Sequence, residues 1–302
     1  MSAGAGKPPI CSVTVTRHPD PLWPDRFAAQ AAEAAATVIV DNGSSDAEAG
    51  MIASAAARCG ARLIRNDRNR GLAAALNQGA ERAFGEGYRW LLLFDQDTEV
   101  VPGIGAELLR IFHLAAARRT TAVVGTNFFD EARQAPRFPS LASGEREWAA
   151  ARTVIASGSL IEREAYGAVG PFREEFFVDS VDHDYCLRAR AEGYQVVLAT
   201  RPLIRHRLGE TSTRRVLGMR IATSNHSAAR RHDMGRNRLA LAREYLFREP
   251  RWVAASLFAL AAETAVLLVF EADGSRKAKA VISGAWHGLR GRFDPPSVGE
   301  DR

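Results

Sequence analysis

Two aspartates one residue apart, Asp95 and Asp97, close the apolar run of LLLFDQDTEV at residues 91–100. A buried run ending in paired carboxylates has two readings. One is a turn with a solvated rim; the other is a site for a hard cation such as magnesium or manganese, which takes oxygen ligands and leaves positions for phosphate oxygens. A second acidic group, Asp179, Asp182 and Asp184 in FFVDSVDHDYCLRARAEGY, lies at an expected helix start. Carboxylates there can simply satisfy the helix dipole, or one of them can take a proton from an attacking hydroxyl. A third feature is His206 in RPLIRHRLGE, twenty-four residues beyond Asp182 and just past an apolar strand. That spacing allows one helix, one strand and a return to the same edge, where a neutral imidazole could join a metal's ligands.

These residues need a scaffold that gathers strand ends. From residue 10 to 127, short apolar or β-branched runs alternate with alanine-rich helical patterns: strands ICSVTVT, ATVIVD, ARLIRN, RWLLLFD and TAVVGTN, with helices at 46–58, 72–85 and 103–118. Strands joined through helices predict an α/β fold with a mainly parallel central sheet flanked by helices. In such sheets ligands bind beyond the carboxyl ends of the strands. Asp41 in VIVDNGSSD ends one strand, and Asp95 and Asp97 end another, so three carboxylates share that edge; Asp46 reads as a helix cap. After residue 128 the pattern becomes irregular: a polar loop, a strand in RTVIASGSLIERE, a helix from near Asp182 and a strand over 194–199.

The chain's 302 residues, 46% of them hydrophobic, are enough for a large core. Three cysteines without ligand spacing argue against a disulfide framework or zinc site and favour a reducing cytosol, and the N-terminus has no signal-peptide pattern. Between 201 and 251, thirteen arginines face four acidic residues, which points to an anionic partner or a solvated helix face. Nucleic acid is not the expected partner, because no binding motif or aromatic-interleaved basic stretch is present. WVAASLFALAAETAVLLVF at 252–270 carries one charge, Glu263, near its middle. This favours an apolar helix packed on the domain or lying in a membrane interface over one that spans.

Together VIVDNGSSD, NRGLAAALNQG, LLLFDQDTEV, DSVDHDYCLRARAEGY and IRHRLGE resemble the inverting family 2 glycosyltransferases of the GT-A fold, over roughly residues 10 to 292. Within that family the chain is most similar to bacterial rhamnosyltransferases that use dTDP-L-rhamnose. RRHDMGRNRLALAREY and AVISGAWHGLRGRF carry that resemblance, although His232 and Asp233 replace an aromatic pair. TRHPD, with Arg17 and His18, stands where a tyrosine and an asparagine are expected.

The resemblance implies Asp182 as catalytic base, Asp95, Asp97 and His206 as ligands of Mn2+ or Mg2+, and Thr16, Asp41, Asn69, Gly71, Asn77 and Asp95 at the nucleotide. It implies Gly158, Asp184 and Arg236 at the acceptor side of the site. The implied activity is non-processive transfer of one sugar to a lipid-linked saccharide, as in O-antigen or other cell-surface polysaccharide synthesis at the inner face of a bacterial plasma membrane. A GT-A domain over 1–215 and a membrane-associated C-terminal helical region over 216–302 are expected. The alternatives are a UDP-hexose or UDP-galactofuranose donor on the same fold, and a non-catalytic membrane-associated or nucleic-acid-binding scaffold.

Overall fold

The computed structural model describes residues 9–293 apart from 118, 132, 207–211, 217–218, 224 and 272, and only the backbone of 206, 212–216 and 219–223. The first half runs β1 (Ile10–Thr16), α1 (Trp23–Ala32), β2 (Ala36–Asp41), α2 (Asp46–Cys59), β3 (Arg62–Arg65), α3 (Leu72–Gly85), β4 (Trp90–Asp95), β5 (Glu99–Val100) and α4 (Ile104–Ala116). Then come β6 (Thr121–Asp130), β7 (Ala135–Pro136), α5 (Pro139–Ala142), β8 (Trp148–Ala151), β9 (Ser159–Glu162), α6 (Arg163–Val169), a 3-10 turn at Glu174–Phe176 and α7 (Val181–Ala191). The chain continues through β10 (Gln195–His206), the hairpin β11 (Ser212–Val216) and β12 (Met219–Thr223), and the helices α8 (Ala228–Tyr245), α9 (Pro250–Phe270) and α10 (Gly274–Leu289).

The main sheet has the order β3-β2-β1-β4-β9-β6-β10-β5, with β7 beside β6 and β8 beside β10. β1 pairs in parallel with β2 and β4, and the register sets Thr16 opposite Asp41 and Val15 opposite Asp95. All three chain ends therefore emerge at one edge. β1, β2 and β4 are buried along almost their whole length because helices cover both sheet faces. α3, α7 and α8 pack on one face and α4 on the other. β9 enters antiparallel between β4 and β6, so the sheet is mixed beyond its first four strands.

Two local expectations are corrected. The segment DPLWPDRFAAQAAEA, read without a helix, forms α1, which starts with proline in its first turn and buries Trp23 and Phe27. The N-cap of α2 is Ser45, in a reciprocal capping box with Glu48, and Asp46 is the first helical residue, ion-paired with Arg65 at 2.7 Å.

The helical region after residue 216 is stitched to the rest. α8 and α10 cross at backbone contact, because a side chain on Gly235, Gly284 or Gly288 would overlap the carbonyl oxygens of Val281, His232 and Arg236 respectively. This accounts for the glycine spacing in AVISGAWHGLRGRF as a packing motif. α9 buries Val253, Leu260 and Leu267, one side chain every two turns, and is the one described helix long and apolar enough to cross a membrane.

Candidate active site

The DQD loop is fastened through its backbone and its central glutamine, which leaves the two aspartates facing outward. Gln96 Oε1 accepts bonds from Thr16 Oγ1 and the Arg17 amide, each at 2.8 Å. Gln30 of α1 donates to the carbonyls of Asp95 and Thr98 at 3.0 and 2.8 Å, and Ser157 Oγ accepts from the Asp95 amide at 3.1 Å. Asp95 is half-buried and Asp97 exposed. The helix missed in the sequence is thus one of the supports that aim the carboxylates.

Asn42, next to the buried Asp41, is a hub. Its Nδ2 donates to Asn69 Oδ1 and the Gly71 carbonyl, and its Oδ1 accepts from Asn66 and the Arg70 amide, all at 3.0–3.1 Å. Gly71 has φ +87°, and a Cβ there would stand 2.7 Å from the Phe177 ring, so glycine lets the acidic loop close over the α3 start. The amide of Leu72 then donates to the Phe177 carbonyl at 2.5 Å. Thr16, Asn42 and Asn69 line the cleft beyond the sheet edge. Asp41 sits one layer deeper: Oδ1 accepts the Ser44 amide at 3.0 Å, whereas Oδ2 meets Arg65 at 3.5 Å and accepts no hydrogen bond.

Several expected site residues are placed elsewhere. Asn77 faces away from the cleft and uses its whole amide on the following loop: Nδ2 donates to the Phe172 carbonyl and Glu174, and Oδ1 accepts from the Phe172 amide and Tyr166. Asp182 accepts the Ala156 amide at 3.2 Å and its neighbour's amide at 2.8 Å, and borders the apolar core near Phe172 and Tyr185, not the cleft. Asp184 is wholly buried between Arg173 and Arg188, at 3.1 and 2.8 Å. Arg236 is buried against Asp233 and donates to the Glu175 carbonyl, while Asn237 beside it holds the carbonyls of Phe176 and Asp179. Gly158 lies in the turn just before β9 with φ +73°, where a side chain would collide with Thr126 and Ile204. In this structure these five residues make contacts within the protein and do not line the cleft.

Asp179 is the acidic-loop carboxylate on the cleft wall. It is flanked by Phe177 and Ser180, both non-glycine residues at positive φ (62° and 67°), a backbone conformation whose cost is common at functional sites. Arg230 of α8 grips it with Nε at 3.1 Å and Nη2 at 3.3 Å. Burial works against the charge of Arg230, but the carboxylates of Asp179, then Asp95 and Asp97, outweigh it and hold its pKa above the usual value. Arg230 therefore sits in the combined field of the DQD pair and the acidic loop. The pKa of nearby His226 is pushed down to about 4 by burial, with the charge of Arg230 adding to the effect.

The cleft has a volume of about 810 Å³. Among the described residues no three or more His, Cys, Asp or Glu side chains surround a common point, and the His206 side chain lies outside them. The pair Asp95 and Asp97, which line the cleft, fits a magnesium- or manganese-type ion, which is often held by one or two carboxylates plus substrate phosphates. From the sequence, Asp179 stood as one of three possible bases and Arg230 as a residue of the RRHDMGRN motif, but neither was placed at the site.

Residues 25–165 match the family model for Glycosyl transferase family 2. The chain is 28% identical over 193 residues to the dTDP-rhamnosyl transferase RfbF of Shigella flexneri, covering 60% of this chain. It spans 63% of that curated relative's length. Among solved structures it is similar to the mannosyltransferase PcManGT from Pyrobaculum calidifontis in complex with GDP-Man and Mn2+, with a TM-score of 0.56, 18% identity and coverage of 94% of this chain and 88% of that one. S. aureus TarS gives a TM-score of 0.55 at 12% identity, with 86% and 42% covered. At these identities the two structures establish the shared fold. The GT-A architecture, the strand-end DQD and the match over residues 25–165 together make this chain similar to the family 2 glycosyltransferases.

Proposed function

We propose that the protein transfers L-rhamnose from dTDP-L-rhamnose to a hydroxyl of a lipid-linked saccharide, with divalent-cation dependence and inversion at the anomeric carbon. The observation that carries this reading is that Asp95 and Asp97 at the end of β4 and Asp179 of the acidic loop line one cleft, with Arg230 in the field of all three. The similarity to a dTDP-rhamnosyl transferase supports the donor.

Asp95 and Asp97 would hold the cation, which when bound stabilises the charge that develops on the departing diphosphate. Arg230 adds a fixed positive charge beside it. Asp179 is the residue we assign as general base, because a base must reach the acceptor hydroxyl within the cleft. It takes the hydroxyl proton as the acceptor oxygen bonds to the anomeric carbon and the carbon–oxygen bond to diphosphate breaks. Asn42 and Asn69 face the nucleotide end, and the buried Asp41 behind them supports that wall through its bond from the Ser44 amide.

Release of dTDP from dTDP-rhamnose, followed with and without Mn2+, tests the assignment. Manganese-dependent release in the wild type and its loss in Asp97→Ala are expected; cation-independent release in that variant would refute the metal role, and a preference for UDP-sugars would refute the donor.

We further propose that α9 lies on an anionic bilayer. Ala254, Phe258, Ala261, Ala265 and Leu268 form one exposed apolar stripe, and Trp286 and Ile282 extend it on α10. Exposed Arg248, Arg251, Arg276 and Lys279 flank it. Glu263 is off that stripe, pairing with Arg238 at 3.0 Å. Co-sedimentation with vesicles containing phosphatidylglycerol should fail for Phe258→Glu; equal binding of that variant would exclude this face.

A further inference from the structure

Two arginines about two helical turns apart on α8 mark the two ends of the cleft. On α8, Arg230, Met234 and Arg238 follow at four-residue spacing and all line it. The rise of a helix puts Arg238 about 12 Å along the axis from Arg230, and so away from the DQD loop whose field Arg230 feels. At that far end Arg238 meets Glu263 of α9, and Arg137 and Phe138 complete the wall. Arg238 Nη2 donates to Glu263 Oε1 at 3.0 Å. The second atom of each group, Nη1 of Arg238 and Oε2 of Glu263, is itself shielded from solvent and has no hydrogen-bond partner among the described residues, although the Glu263 side chain as a whole is 40% exposed toward the cleft.

Buried polar atoms are nearly always paired, so one spare donor and one spare acceptor side by side on a cleft wall call for an explanation. Glu263 is also the one acidic residue of α9, whose other charge is Arg251 in its first turn. A packing role alone would be met by an apolar residue at that position without leaving two polar atoms unpaired. Arg137 adds a second guanidinium; burial, then Arg133, holds its pKa below the usual arginine value, while Asp130 and Glu263 oppose that shift.

Resting on the glycosyl transfer proposed above, we infer that this end of the cleft is a subsite for the glycosyl phosphate head of the acceptor, with Arg238 and Arg137 at the phosphate and Glu263 accepting a hydrogen bond from a sugar hydroxyl. Two arginines against one glutamate leave a net positive charge for an anionic head, and arginine's fork suits phosphate oxygens. The helix that supplies Glu263 presents its apolar stripe outward, so an acceptor's lipid could continue over that surface.

The test uses the full chain loaded with dTDP and Mn2+, which blocks the donor end, and titrates α-D-glucose 1-phosphate by 31P and saturation-transfer NMR. Saturable binding to the loaded wild type is expected, weakened at least tenfold in Glu263→Gln and in Arg238→Gln, with dTDP affinity within twofold of wild type in both. The glutamine at 263 is close to isosteric and keeps the experiment decisive if the arginine variant folds poorly. Absence of saturable binding to the loaded wild type, or equal binding in Glu263→Gln, overturns the subsite. Failure of the wild type to bind dTDP at all overturns the parent reading as well, and is seen before the sugar phosphate is added.

Discussion

Replacing Asn77 by alanine separates a ligand contact from a structural staple. In the folded chain its side chain makes four hydrogen bonds of 2.8–3.0 Å, two of them to the backbone amide and carbonyl of Phe172, and it is 4% exposed. Tyr166 and Glu174 can find water when the amide is removed; the two Phe172 groups cannot. An unpaired buried group costs about 1–3 kcal/mol, so Asn77→Ala should lose about 3 kcal/mol. By the entropy of unfolding of a chain this size, that lowers the melting temperature by roughly 5 °C. Urea unfolding followed by circular dichroism gives the stability, and calorimetric titration below the transition gives the affinity for dTDP. The expected result is a large stability loss with dTDP affinity within about threefold of wild type, as for a residue outside the cleft. A variant of normal stability that fails to bind dTDP would refute the staple and restore Asn77 to the nucleotide.

Three other outcomes follow from the same geometry. Asp179→Asn should fold normally and lose transfer by a factor of about 100 or more, whereas Asp182→Asn should act chiefly on stability; steady-state rates and melting curves on both variants decide, and full activity in Asp179→Asn would remove it as the base. His226 has a folded pKa of about 4 against an ordinary 6.5, so below pH 6.5 the unfolded chain takes up a proton that the folded chain refuses. Stability should fall as pH drops from 6.5 toward 4, by up to about 2 kcal/mol once its partial exposure is allowed for, and His226→Gln should flatten that part of the urea-midpoint profile. Gly284→Val would drive a side chain into the His232 carbonyl and should cost about 3 kcal/mol or more by separating α8 from α10; an unchanged urea midpoint would contradict the close helix crossing.

Much of the scaffold was legible because β-branched runs alternate with alanine-rich helical periods, and β1 to β4 follow that pattern almost residue for residue. α1 was hidden because DPLWPD looks like a turn until proline is recognised as an opener of helices. The DQD pair was legible for a simple reason: an apolar strand ending in two carboxylates has few bland explanations. The acidic loop was not. Its side chains are turned by two positive-φ residues, Phe177 and Ser180, and no spacing rule tells which of Asp179, Asp182 and Asp184 then meets the cleft. Arg238 and Glu263 were unreadable as a pair because twenty-five residues of two different helices separate them in sequence. The glycines of AVISGAWHGLRGRF were visible, yet their purpose appears only once α10 lies against α8.

The central claim is that Asp95 and Asp97 bind a donor nucleotide-sugar through a divalent cation. Calorimetric titration of dTDP-L-rhamnose into the wild type and into the Asp95→Asn/Asp97→Asn protein, each with Mn2+ and with EDTA, tests it directly. Manganese should tighten binding at least tenfold in the wild type and have no effect on the doubly substituted protein. Equal manganese-dependent affinity in both proteins would contradict the account.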